Sequence, residues 1–501
     1  MSTIMDTKTY QGGATSVGSP STSSPVARGD PSRRVVATAA TTKRKGDAPL
    51  ADGTVYSKRK DFCPFSTPPL EAYASIVGDE RLERLQRVAE RLKGLKLLEL
   101  NATVRGGGVA EMLYSSVPFL NALGIEAEWK VICGSREYFE ITKRLHNLLQ
   151  GMKGPFTPEM EQTYFCTLEE NNNANLVDNN PDVVVVHDPQ PLGLRRYLEE
   201  IKETWLWRCH IDIEGTALMA NHGLRHFITP WVERYNAVIF SAAHYVVSHW
   251  PLPKFIIPPF IDPLSEKNRE LGQEEIDRIL ANYHIDPQIP IIAQVGRFDP
   301  WKGLDRTIAT YRLVRKEMKC QLILAGGLAA DDPEGERVLA EVYYKTKDDE
   351  DIHVLQLSLA NRLQNYVEVN ALQRAAKVIM QPSTREGFGL VITEASWKGK
   401  PVIAADVGGI PLQIRDGHNG YFYQTPHKTA QKVIHLLENP EAAKVMGQIG
   451  RRYVEENFLL PDRLADYLVA IDMTMNLARD KRIPIDSIIS FHPWVKLGKR
   501  K

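Results

Sequence analysis

The chain has 501 residues, 43% hydrophobic and 25% charged, with 62 Lys and Arg against 62 Asp and Glu. That length exceeds what one compact core serves, so two domains of ordinary size behind a tail is the natural division, and a zero formal charge argues against a surface built for nucleic acid or an anionic membrane. Five widely spaced cysteines without a CxxC pair oppose a disulfide framework and a zinc site and point to a reducing, cytoplasmic setting, while no apolar run reaches the length of a membrane span and no signal-peptide core opens the chain.

Residues 1–60 are rich in Ser, Thr, Pro, Gly and Ala, with ten Lys or Arg and four Asp, and read as a disordered tail. A transit peptide is the alternative, opposed by basic residues that cluster late and by the lack of an amphipathic stripe. From Lys96, short apolar runs alternate with helical stretches: Leu97–Leu100, Trp129–Ile132, Val183–Val186, Trp207–His210 and Val238–Phe240. This is the rhythm of a doubly wound parallel sheet. A proline-rich crossing, Pro251 to Pro263, reads as the linker, and the rhythm resumes at Ile291–Val295, Leu322–Leu324, His353–Leu355, Val378–Met380 and Val402–Ala404. The expected division is a tail over 1–60, a first α/β domain over 61–265, a second over 266–440, and a helical segment with a basic end over 441–501.

Four segments could carry chemistry. Leu97–Leu100 is followed by Arg105-Gly106-Gly107-Gly108 and a helical stretch from Val109 to Leu123, with a kink allowed at Pro118. The glycines allow either close approach of backbone to a ligand, with helix N–H groups aimed at it, or merely a tight strand-to-helix turn. No GxGxxG is present, which removes the main support for a nicotinamide enzyme. His187 and His210 each end a strand beside an acid, Asp188 and Asp212. Carboxyl ends of parallel strands are where reacting groups are expected, although a lone strand-end histidine is more often structural. In the second domain, Arg297 and Lys302 leave the first strand on a loop that suits a diphosphate or is only an exposed loop with incidental charges. Finally, Thr384 to Glu394 sets two acids, Glu386 and Glu394, around Gly387 and Gly389. Glu386 falls on a strand-to-helix loop, and Glu394 shares a helix face with Leu390 and Val391, where a carboxylate needs a polar partner; the two are either ligand-gripping acids or merely a loop acid in solvent and a helix acid paired internally. With neither HExxH nor Asp-x-Asp accompanying the two histidines, no metal site is expected there.

Together these loops resemble glycosyltransferase family 4, and most closely its trehalose-synthase subgroup, through Arg105-Gly106-Gly107-Gly108-Val109-Ala110-Glu111, His187-Asp188-Pro189-Gln190-Pro191, Trp207-Arg208-Cys209-His210-Ile211-Asp212 and Arg297-Phe298-Asp299-Pro300-Trp301-Lys302-Gly303. The likeness runs from about Leu70 to about Asp472. It implies an α/β protein of GT-B architecture, two facing Rossmann-like domains with a cleft between them. It also implies a retaining transfer of glucose from a nucleoside-diphosphate glucose to free glucose, without a cofactor. Arg297 and Lys302 would hold the diphosphate, Glu394 the ribose and Glu386 the transferred sugar, with Phe388, Gly389 and Leu390 offering backbone N–H groups. His210 would stand beside the anomeric carbon, Asp212 would touch the acceptor, and the glycine loop would close from the opposite domain. The segment Glu214 to Leu224 departs from the expected pattern, so acceptor choice is less defined than donor chemistry. A retaining trehalose phosphorylase and a non-catalytic sugar-nucleotide sensor are the alternatives. No nucleic acid or membrane partner is expected, and a homodimer is one open option for assembly.

Overall fold

The computed structural model describes residues 68–104, 107–178, 180–198, 203–328, 334–358, 361–480 and 487–491. The expected tail over 1–60, the basic run from Lys496 and Gly106 lie outside the described residues, all of which fall within one compact unit.

Strands β1 (Lys96–Asn101), β2 (Glu126–Val131), β3 (Val183–His187), β4 (Thr204–Cys209), β5 (Ala237–Phe240) and β6 (Lys254–Ile256) lie parallel in the order β6-β5-β4-β3-β1-β2. The four valines of β3 show why. Val184 and Val186 enter one apolar layer, Val183 and Val185 the layer on the opposite face, and all four are fully buried. A strand covered on both faces has no reason to alternate polar with apolar, and each buried valine contributes roughly 1.5 kcal/mol or more.

The second sheet holds β7 (Ile291–Val295), β8 (Gln321–Gly326), β9 (Ile352–Gln356), β10 (Val378–Gln381), β11 (Val402–Ala404) and β12 (Tyr421–Phe422), parallel in the order β12-β11-β10-β7-β8-β9. Chain direction across each sheet reverses once, between β1 and β3 in the first and between β7 and β10 in the second. Crevices at the carboxyl ends of strands at such reversals bind ligands. The described parts of the four segments singled out above sit at carboxyl ends of strands, with Gly107 and Gly108 after β1, His187 closing β3, His210 after the neighbouring β4, Arg297 and Lys302 after β7, and Glu386 after β10.

Three features depart from expectation, the first being the two-residue edge strand β12, which pairs with β11. The proline-rich crossing contains β6, which pairs with β5 from Val238 opposite Lys254. Its flanking prolines fall outside the three paired residues, so they remove no ladder bond. The carboxyl-terminal segment is helical as expected, but it returns to the first sheet. The helix Pro440–Asn457 packs on the helix Leu390–Trp397, and the helix Leu460–Asp480 then packs on the helix Asp79–Arg91. Arg84 and Asp466 pair there at 2.7 Å. A last strand, β13 (Ile488–Ser490), adds to the first sheet beside β6.

Candidate active site

A cavity of about 320 Å³ opens between the two sheets. Gly107, Gly108, His187, Asp188 and His210 line it from the first sheet, and Arg297, Lys302, Glu386, Phe388, Gly389, Leu390 and Glu394 from the second. Asp212 is buried but does not line it. The two halves touch at Gly387. A Cβ there would stand 2.4 Å from the carbonyl oxygen of His210, and the Tyr245 hydroxyl of the first domain donates to the Gly387 carbonyl at 2.6 Å. Two residues on, Gly389 takes φ 87° as it opens the helix Leu390–Trp397, a conformation an L side chain resists.

On the second sheet the Lys302 ammonium lies 2.7 Å from Glu386, whose same oxygen accepts from the Ser383 hydroxyl at 3.2 Å. Arg297 lies 3.7 Å from Asp299, and Asp299 also pairs with Lys143 of the first domain at 3.3 Å. Burial works against ionised Asp299, yet Lys143, Arg297 and Lys302 hold its carboxyl well below the usual range. Burial, with Lys143 and Arg297 nearby, pushes the neighbouring His146 down to about 3. Arg297 and Lys302 on the loop after β7, with Lys143 across from them, thus gather three cations that two acids, Asp299 and Glu386, hold in place.

Glu394 is 1% exposed and has the partner its position demands. Lys267, from the chain that crosses between the domains, lies 2.9 Å from Glu394 and 2.8 Å from Glu111 in the first turn of the helix Gly108–Ala122. The three charges bridge the cleft. Against the cost of burial, Lys267 and Lys398 keep the Glu394 carboxyl below its ordinary range, whereas burial raises that of Glu111.

On the first sheet the imidazoles of His187 and His210 meet, Nδ1 to Nε2, at 3.0 Å. His187 Nε2 lies 2.7 Å from Glu99, and the Tyr467 hydroxyl donates to the other oxygen of Glu99 at 2.7 Å. Burial lowers both histidines, His210 well below the usual value with Arg208 and His187 adding to the effect. Asp188, at φ 62°, accepts from the His210 backbone N–H at 2.7 Å and so fixes where that residue leaves β4.

The sequence reading missed Glu99, Lys143, Lys267 and Tyr467. Glu99 carried a usable signal, a charge inside an otherwise apolar buried strand, which implies a partner. Lys143, Lys267 and Tyr467 meet the site only through tertiary packing. Among the described residues no trio of His, Cys, Asp or Glu is placed to hold a metal ion, and no helix is long and apolar enough to cross a membrane.

The family model for the trehalose synthase N-terminal domain matches residues 99–247, and that for glycosyl transferases group 1 matches residues 275–453. A trehalose synthase of Pyrococcus horikoshii is 45% identical over 403 residues, covering 80% of this chain and 95% of that protein. A trehalose phosphorylase of Grifola frondosa is 29% identical over 440 residues, covering 77% of this chain but 58% of that protein. Among solved structures, sucrose-phosphate synthase from Thermosynechococcus elongatus superposes with a TM-score of 0.57 at 18% identity, over 76% of this chain and 100% of that one, a likeness of fold alone. The chain belongs to the trehalose synthase family of glycosyltransferases, with two Rossmann-like domains in the GT-B arrangement.

Proposed function

We propose that this chain is a retaining hexosyltransferase that makes trehalose from a nucleoside-diphosphate glucose and free glucose. The observation that carries the reading is the convergence of Arg297, Lys302, Glu386 and Glu394 on one cavity at the chain reversal of the second sheet, facing His210 across it. In this reading Arg297 and Lys302 hold the diphosphate and Glu394 the ribose hydroxyls. Glu386 binds the glucose to be transferred, with backbone N–H groups of Phe388, Gly389 and Leu390 beside it. Lys302 rests against Glu386 at 2.7 Å, so a diphosphate competes with that carboxylate for the ammonium. Gly107 and Gly108 close on the donor from the opposite side. Asp188 acts by anchoring His210, and Asp212, away from the cavity wall, reaches the acceptor only through its neighbours.

During transfer the bond from the anomeric carbon to the phosphate oxygen breaks and its electron pair leaves with the diphosphate. The cationic loop stabilises that charge while the sugar becomes oxocarbenium-like. The acceptor hydroxyl attacks from the same face and passes its proton to the departing phosphate, so the α configuration is kept without a covalent enzyme intermediate. Free thiols at the four described cysteines support a reducing, cytoplasmic setting.

Product analysis after incubation with glucose and, separately, ADP-, UDP- and GDP-glucose tests the proposal. Trehalose and a nucleoside diphosphate are the expected products with at least one donor. Cleavage of trehalose by inorganic phosphate, with no trehalose made from any nucleotide sugar, would replace the synthase by a phosphorylase.

A further inference from the structure

From behind the cleft wall a file of buried groups that the transfer scheme does not use runs into it: Tyr467 and Glu99, then His187 in the wall itself, each 1% exposed, ending on His210. With Glu99 ionised and His187 neutral, their contacts fix where the protons sit. A carboxylate only accepts hydrogen bonds, and a neutral imidazole carries one N–H. Glu99 takes the Tyr467 hydroxyl on one oxygen and therefore the Nε2 proton of His187 on the other, both at 2.7 Å. His187 Nδ1 is then a bare acceptor, and the His210 Nε2 that stands 3.0 Å from it must be the donor.

We infer that Glu99 is a positioning residue for glycosyl transfer: through His187 it sets the tautomer of His210, protonated at Nε2 and bare at Nδ1, and Tyr467 from the returning helix Leu460–Asp480 holds Glu99 in the orientation that does so. This rests on the reading above that places His210 beside the reacting carbon. Which ring nitrogen is protonated follows from what the other nitrogen bonds, and here that information is relayed through a second ring from a carboxylate on β1. The arrangement also gives the carboxyl-terminal return a role in the chemistry of the first sheet, because Tyr467 is its contact with Glu99.

Glu99→Gln tests this with almost no change of shape. With its oxygen kept on the Tyr467 hydroxyl, the amide donates to His187 Nε2, the His187 proton moves to Nδ1, and His210 is left protonated at Nδ1. The expected result is a fall in kcat of about 100-fold, within the range that correctly placed proton carriers supply, with the donor KM within about threefold of wild type. Tyr467→Phe, which leaves the Glu99 to His187 contact intact, should cost kcat only about three- to tenfold. Nitrogen-15 spectra of histidine-labelled protein, assigned with His187→Phe and His210→Phe, read the tautomer directly. Wild type should show a protonated Nε2 at His210 and Glu99→Gln the reverse, a change that mere loosening of packing would not produce. The inference is overturned if Glu99→Gln makes trehalose within threefold of the wild-type rate, or if wild-type His210 is protonated at Nδ1. Should Glu99→Gln not fold, the wild-type spectrum and Tyr467→Phe decide. A wild type that makes no trehalose sinks the functional reading and this inference with it, whereas an active wild type with an indifferent Glu99→Gln sinks only the inference.

Discussion

Lys302→Met removes one of the two cations assigned to the departing diphosphate while keeping an unbranched side chain. A unit charge about 4 Å from a developing phosphate charge, at an effective dielectric of about 20, contributes about 4 kcal/mol, which corresponds to about 10³ in rate. The folded state loses far less. Lys302 and Glu386 have side chains 18% and 10% exposed, and Glu386 retains the Ser383 hydroxyl at 3.2 Å, so stability should fall by only about 1–2 kcal/mol. Initial rates of trehalose formation at saturating glucose and donor, beside a denaturant titration, separate the two effects. The expected variant is folded, with kcat down about 10³-fold and donor KM raised less than tenfold, because the ammonium acts mainly on charge that appears as the bond breaks. Lys302→Arg should recover part of the loss. Turnover within threefold of wild type in folded Lys302→Met would refute the assignment and the electrostatic argument behind it.

Glu394→Gln should do the opposite, raising donor KM about tenfold or more with kcat changed less than tenfold, since ribose contacts persist equally before and during transfer; a donor titration reads the split. Lys267→Met leaves Glu111 and Glu394 facing each other without their shared cation and should cost about 3 kcal/mol in a urea titration. Adding Glu111→Gln should return a measurable part of that loss, and no recovery would mean that Lys267 matters through packing alone. Stability should also decline as the solution is acidified below about pH 6.5. His146 is pushed down to about 3, and His187 and His210 are lowered by burial, so the unfolded chain takes up protons that the folded chain refuses, up to about 1.4 kcal/mol per pH unit for each ring. His146→Gln should flatten that slope between pH 6.5 and 5, measured by urea titrations across the range.

The alternation of strands and helices was legible in the sequence because parallel strands buried on both faces are written as short uninterrupted apolar runs, and Val183 to Val186 could hardly be read otherwise. The loops at strand ends were legible for the same reason, and both strand-ending histidines lie where the reading put them, His187 closing β3 and His210 just past β4. β6 escaped notice since three paired residues between prolines leave too little periodicity to see. β13 escaped because its pairing with β6 joins residues more than 230 positions apart. The same limit hid Lys143, Lys267 and Tyr467. Each acts on a partner from a distant segment, and nothing local distinguishes such a residue from an ordinary surface lysine or core tyrosine.

Charge in the cleft is divided in a way that suits the proposed roles. The second sheet supplies Arg297 and Lys302 with Lys143 nearby, where a diphosphate would accumulate electrons. In the proposed scheme the first sheet presents His210, whose pKa burial lowers well below the usual value, to the carbon that turns oxocarbenium-like. A protonated His210 at that point would oppose the developing positive charge and raise the barrier, whatever its hydrogen bonds. Burial, then the neighbouring Arg208 and His187, make that protonation unfavourable. Arg208 is itself held 5.0 Å from the Tyr467 ring, and Tyr467 in turn bonds to Glu99. The buried arginine therefore sits behind the histidine pair, where it acts on the charge state of His210 without lining the cavity.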